Sequence, residues 1–97
     1  MKAKVYRLYF SLDKVAHDRS ILEAAQQLAR QFPALTEYAA MGVWEGKGEH
    51  CTIFERIVHD WTYSDDVTWN QFAAAMRDLT QQDTVLITSH DADMELV

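Results

Sequence analysis

The apolar spacing of this chain switches between two and 3.6 along its length, and the order of those switches restricts the fold more than any other feature. From Lys4 to Leu12, the residues Tyr6, Leu8, Phe10 and Leu12 fall on one side and Arg7, Tyr9 and Ser11 on the other, the alternation of a strand with one covered face. From His17 to Phe32 the period becomes helical, with Ile21, Leu22, Ala25, Leu28, Ala29 and Phe32 in one stripe. Ser20 and Glu23 have the spacing of a capping box there, Asp18 is a competing N-cap, and Pro33 ends the helix. Thr36–Glu45 and His50–Asp60 are read as strands joined by a turn at Gly46-Lys47-Gly48, which makes a hairpin. A polar connection from Trp61 to Val67 leads to a second helix over Thr68–Gln81, with Thr68 and Gln71 as its capping box and Trp69, Phe72, Ala73, Met76 and Leu79 as its stripe. Thr84–His90 is a fourth strand, extendable through Met94–Leu96 after a bend at Asp91.

This β-α-β-β-α-β order is that of a ferredoxin-like α+β domain, a four-stranded antiparallel sheet with both helices on one face. Ninety-seven residues make one such domain, spanning 1–97. The opposite sheet face is left open, with Arg7, Tyr9 and Trp44 expected on it. A lone cysteine permits no internal disulfide, lysines and an arginine interrupt the N-terminal apolar run, and no stretch reaches the length of a membrane span. These features lead to the expectation of a cytoplasmic protein.

Conventional catalytic patterns are weak. Cys51, Glu55 and His59 alternate onto one face of the third strand, but Cys51 beside Ile53 and Ile57 reads more simply as a packing residue and Glu55 as the partner of an arginine. His59-Asp60 and the His90–Asp93 run lack the further convergent ligands of a metal site, so no metal and no cofactor are expected. Gly42, Gly46 and Gly48 lie in the hairpin rather than between a strand and a helix, which excludes a phosphate loop.

Charge is the stronger signal. The chain has 9 Lys+Arg against 15 Asp+Glu, a net charge of −6. Residues 1–31 are net +3 and residues 32–97 net −9. Such a balance disfavours direct binding to nucleic acid or an anionic membrane and favours a basic protein surface as partner. The candidate contact residues are Asp60, Asp65 and Asp66, then Asp91, Asp93 and Glu95, with Glu45 and Glu49 beside the hairpin turn.

Taken whole, from Met-Lys-Ala-Lys-Val-Tyr-Arg-Leu-Tyr-Phe to Asp-Ala-Asp-Met-Glu-Leu-Val, the chain resembles type I-F anti-CRISPR proteins of the DNA-mimic kind. That resemblance implies a non-enzymatic inhibitor that binds the Cascade (Csy) complex on the basic surface receiving target DNA. The Tyr-Arg-Leu-Tyr-Phe strand and the element order are also similar to small dimeric α/β-barrel proteins, which include oxygenases and isomerases. That alternative implies a pocket between sheet and helices, with Tyr6, His50 or His59 as acid/base groups; a regulatory protein-binding module is the third reading.

Overall fold

The first strand sits inside the sheet and organises it. In the computed structural model, which describes residues 1–11 and 18–97 and only the backbone of Trp44, β1 (Lys2–Phe10) pairs with a strand on each side. The other elements are α1 (Arg19–Ala29), β2 (Thr36–Trp44), β3 (Lys47–His59), α2 (Tyr63–Leu79) and β4 (Leu86–Asp93). All pairings are antiparallel and the strand order is β2-β3-β1-β4. The expected ferredoxin-like α+β architecture is therefore present. Leu12 and His17, expected to end the first strand and to open the first helix, lie outside the described residues, as does the Trp44 side chain.

Alternation along β1 separates two environments. Tyr6, Leu8 and Phe10 are buried beneath the helices, against Phe54 of β3, Ala25 of α1, Phe32 beyond it, and Trp69, Phe72, Ala73 and Met76 of α2. Both helices cover this one face. Phe32, Trp69 and Phe72 meet with ring centroids 5.0–5.4 Å apart, tilted or edge-on, the arrangement that ring quadrupoles favour.

Four boundaries depart from the sequence reading, each for a local reason. Asp18, not Ser20, caps α1: its Oδ1 accepts from the backbone N–H groups of Ser20 and Ile21 at 3.1 and 3.3 Å. Glu23 pairs instead with Arg19. The hairpin turn is Glu45-Gly46, both with positive φ (50° and 77°), so β3 starts at Lys47 opposite Trp44. The second helix begins at Tyr63, within the supposed connection. Asp65 reaches back to the Thr62 N–H at 2.9 Å, and Asp65 and Asp66 suit the positive end of the helix dipole. This first turn carries no apolar stripe, so periodicity does not reveal it. Finally, β4 runs on to Asp93 without a bend at Asp91, because β1 extends back to Lys2 and supplies the partners Lys2↔Asp93 and Lys4↔Asp91.

Candidate functional site

The early start of α2 determines where its acidic turn lands. Lys4 and Tyr6 project from β1 toward the helices, and the first turn of α2 brings Asp66 to both. The Lys4 Nζ lies 2.9 Å from Asp66 Oδ1, and the Tyr6 hydroxyl donates to the same oxygen at 2.6 Å. Asp65, one residue earlier, faces Arg56 of β3 at 3.6 Å. The Lys4 ammonium also sits 4.0 Å from the ring centre of Trp61, a cation–π contact, and the Arg56 guanidinium lies 4.9 Å from that of Phe32.

Around this pair opens a cleft of about 400 Å³ between α2 and the β1–β4 edge. Tyr63 and Trp69 form aromatic wall, Asn70, Thr88 and Ser89 supply hydrogen-bonding groups, and Lys4, Tyr6 and Asp66 form the charged floor. Tyr63 is 78% exposed at the rim, whereas Trp69 is buried and donates its indole N–H to the Arg7 carbonyl at 3.2 Å. Trp61 lies between this cleft and a second hollow of about 390 Å³ that it lines with Lys2, Ala3, Asp91, Ala92 and Asp93.

The protonation states follow from the contacts. Burial, followed by the hydrogen bond to Asp66, pushes the Tyr6 phenol well above its ordinary value. It is a fixed donor near neutral pH. The hydrogen bond from Tyr6, followed by that from Lys4, holds the Asp66 carboxyl below the usual carboxylate range. The floor of the cleft is thus a persistent carboxylate oriented by a phenol and an ammonium.

The eight acidic candidates do not share one surface. Asp65 and Asp66 are engaged with Arg56, Lys4 and Tyr6. Asp60 is exposed just beyond β3, 3.9 Å from His59, and Asp91 and Asp93 are exposed on β4 with lysines opposite in register. Glu95 is exposed beyond β4. Glu45 and Glu49 lie at the hairpin end, with Glu49 about 33 Å along β3 from His59 at ~3.3 Å per residue. Of the acid/base candidates, Tyr6 alone lies in the cleft: His50 is exposed on the hairpin opposite Met41, and His59 is exposed at the other end of the strand. Cys51 is half-buried on the open sheet face, about 13 Å along the strand from Glu55. Among the described residues no group of three His, Cys, Asp or Glu is placed to hold a metal ion, and no helix is long and apolar enough to cross a membrane.

Glu55 is indeed paired with an arginine. On the open face its Oε2 accepts from Arg7 Nε and from the Tyr38 hydroxyl, each at 3.1 Å. The hydrogen bond to Glu55 raises the Arg7 pKa, while burial and then the same carboxylate raise that of Tyr38.

No protein-family model matches the sequence, and no curated protein matches it. Among solved structures the chain is similar to a phage SAM lyase in complex with S-methyl-5'-thioadenosine. The TM-score is 0.64 at 16% identity, over 91% of this chain and 80% of that one. It is similar also to a phage SAM lyase in the apo state, with a TM-score of 0.63 at 13% identity over 93% and 81% of the two chains. At such identities the likeness is one of fold.

Proposed function

We propose that this chain binds S-adenosylmethionine in the Lys4–Tyr6–Asp66 cleft and cleaves a carbon–sulfur bond at its sulfonium. The observation that carries this reading is the persistent Asp66 carboxylate, fixed by Tyr6 and Lys4 beside an exposed aromatic ring. S-adenosylmethionine presents a sulfonium and an ammonium to an anion, a carboxylate to an ammonium, and a purine to an aromatic face. Asp66, Lys4 and Tyr63 are the matching groups here. The chemistry fits as well. The substrate's own carboxylate attacks its γ-carbon as the carbon–sulfur bond breaks, and the bonding pair passes to sulfur. The neutral thioether S-methyl-5'-thioadenosine leaves beside an aminolactone, so the step needs no proton from the enzyme. A site whose phenol stays protonated and whose carboxylate stays ionised suits a reaction governed by positioning and charge rather than proton transfer. The likeness in fold to phage SAM lyases makes this the first ligand to test.

Incubation of the purified chain with S-adenosylmethionine, followed by chromatography and mass spectrometry, is expected to yield S-methyl-5'-thioadenosine, and calorimetric titration to show binding. The absence of both turnover and binding at millimolar ligand would remove the reading.

A second reading, an inhibitor occupying the basic DNA-receiving surface of a Cascade (Csy) complex, is favoured by a separate observation. Asp60, Asp91 and Asp93 are exposed at the same end of the sheet, where Ala3 pairs with both His59 and Ala92, and Glu95 follows. Replacing Asp60, Asp91, Asp93 and Glu95 by Asn or Gln is expected to weaken competition with target DNA, and added salt to weaken that of the unmodified chain. Unchanged competition by the folded variant at two salt concentrations would dismiss the mimicry.

A further inference from the structure

We infer that Asp65 and Arg56 are positioning residues for the cleft: together they pin the first turn of α2 to β3 and so hold the Asp66 carboxylate on Tyr6 and Lys4. Their role is the same whatever ligand that carboxylate meets.

Register sets the geometry. Tyr6 and Arg56 are direct partners across the β1–β3 ladder, so their side chains leave the sheet together, on the side that the helices cover. Asp65 and Asp66 are consecutive in the first turn of α2. The two pairs meet rung by rung. Asp66 Oδ1 accepts from the Tyr6 hydroxyl at 2.6 Å, and Asp65 Oδ1 lies 3.6 Å from the Arg56 guanidinium. An arginine on the covered face is largely removed from water, here at 17% side-chain exposure, and requires a counter-charge. Asp65 supplies it, and the Phe32 ring, 4.9 Å from the guanidinium, restricts where the arginine can go.

Asp65 has a second hold, on its own turn. Its Oδ2 accepts from the Thr62 N–H at 2.9 Å, and its own N–H donates to the Thr62 carbonyl at 2.9 Å, which closes the chain entering the helix. First turns otherwise fray, because their N–H groups have no intrahelical partners. Asp66 is the next residue. With Asp65 tied both to Thr62 and to β3, the short Asp66 side chain starts from a fixed point above β1. Were the turn free to lift, it would no longer span to a phenol at 2.6 Å and an ammonium at 2.9 Å together. The titratable and charged groups around Asp66 are thus Lys4 and Tyr6 of β1, Arg56 of β3, and Asp65 and the rim residue Tyr63 of α2.

The test follows the Asp66 carboxyl by carbon NMR through a pH titration of Asp65→Ala and Asp65→Asn. Removing the charge of Asp65 does nothing else than favour ionisation of its neighbour, which moves the Asp66 titration to lower pH. Loss of positioning does the reverse, because the hydrogen bonds from Tyr6 and Lys4 that hold the carboxyl low are given up. Both variants are expected to shift the Asp66 titration upward, toward the ordinary aspartate value. Asp65→Asn, which keeps an acceptor for the Thr62 N–H, is expected to shift it less, and it answers the same question should Asp65→Ala fail to fold. An Asp66 titration that stays in place or moves down in the folded variants would overturn the inference. Affinity for S-adenosylmethionine, measured alongside, is expected to fall roughly tenfold in Asp65→Ala. An unchanged affinity beside a raised titration would overturn the ligand reading and not the positioning.

Discussion

Trp69→Ala is expected to remove a large fraction of the stability of the domain. Trp69 is 1% exposed and touches rings on three sides: Tyr6 at 5.9 Å, Phe32 at 5.4 Å and Phe72 at 5.2 Å between centroids. Its indole N–H also satisfies the Arg7 carbonyl. Truncating a large aromatic in a packed core costs about 3–5 kcal/mol, the lost transfer energy plus the cavity left behind. A domain of this size is stable by roughly 5–15 kcal/mol, so the loss is a third or more of the total in most of that range. At 4–8 °C per kcal/mol, the melting temperature should fall by at least about 12 °C. Trp69→Phe keeps most of the apolar volume but abandons the carbonyl, and about 1–3 kcal/mol is expected for that change. Urea titrations of the three proteins check both values. A Trp69→Ala protein within about 1 kcal/mol of the parent would mean that the core does not depend on this ring as its packing implies.

What could be read from the sequence and what could not divide along a physical line. Alternation at Tyr6, Leu8 and Phe10 and the stripe at Trp69, Phe72, Ala73 and Met76 report which side of an element is covered. Every one of those residues is buried in a single cluster. Such patterns follow from local geometry and solvent, so element types, their order and the fold follow. The pairing of Glu55 with an arginine was also legible, since a carboxylate on an apolar strand needs a partner.

The cleft was not legible, for two reasons. Asp66 meets Lys4 and Tyr6 across 60–62 residues of chain, and no periodicity encodes which carboxylate a given lysine will meet. The contact also depends on α2 starting at Tyr63 rather than Thr68, about a turn and a half earlier at 3.6 residues per turn. Counting Asp65 and Asp66 among free surface charges followed from placing them in a loop. The Thr62–Asp65 capping-box spacing was the available signal, six residues ahead of the one at Thr68. Register likewise decides the environment of Asp91 and Asp93, which face Lys4 and Lys2 across the β1–β4 ladder. Alternation marked Tyr6 only as a covered residue of the first strand, and the likeness to α/β-barrel proteins named it as an acid/base group; its role as a fixed donor depends on burial beneath α2.

Asp66→Asn is expected to separate the two jobs of that carboxylate. The substitution keeps the shape and removes the charge, so hydrogen-bond exchange with a cationic ligand loses its charge-assisted component. The affinity for S-adenosylmethionine is expected to weaken roughly tenfold, as read by calorimetric titration. S-Methyl-5'-thioadenosine carries no sulfonium and no ammonium, so its affinity should change far less. Equal losses for both ligands would mean that Asp66 supports the cleft without reading charge. The same group leaves a signature in the pH dependence of folding. Asp66 has its pKa depressed in the folded protein, so its contribution is present above the ordinary aspartate value of about 3.9 and is lost as pH falls through the lower folded value. Tyr6 has its pKa raised, so its contribution is complete below the ordinary phenol value of about 10 and is lost as pH rises through the higher folded value. The parent should therefore unfold more readily on both sides of a neutral plateau. Asp66→Asn is expected to flatten the acid limb and Tyr6→Phe the alkaline limb, as read by urea midpoints across the pH range. If both variants retain the limbs of the parent, the Tyr6–Asp66–Lys4 contact does not persist in solution, and the cleft loses the anion on which its proposed ligand depends.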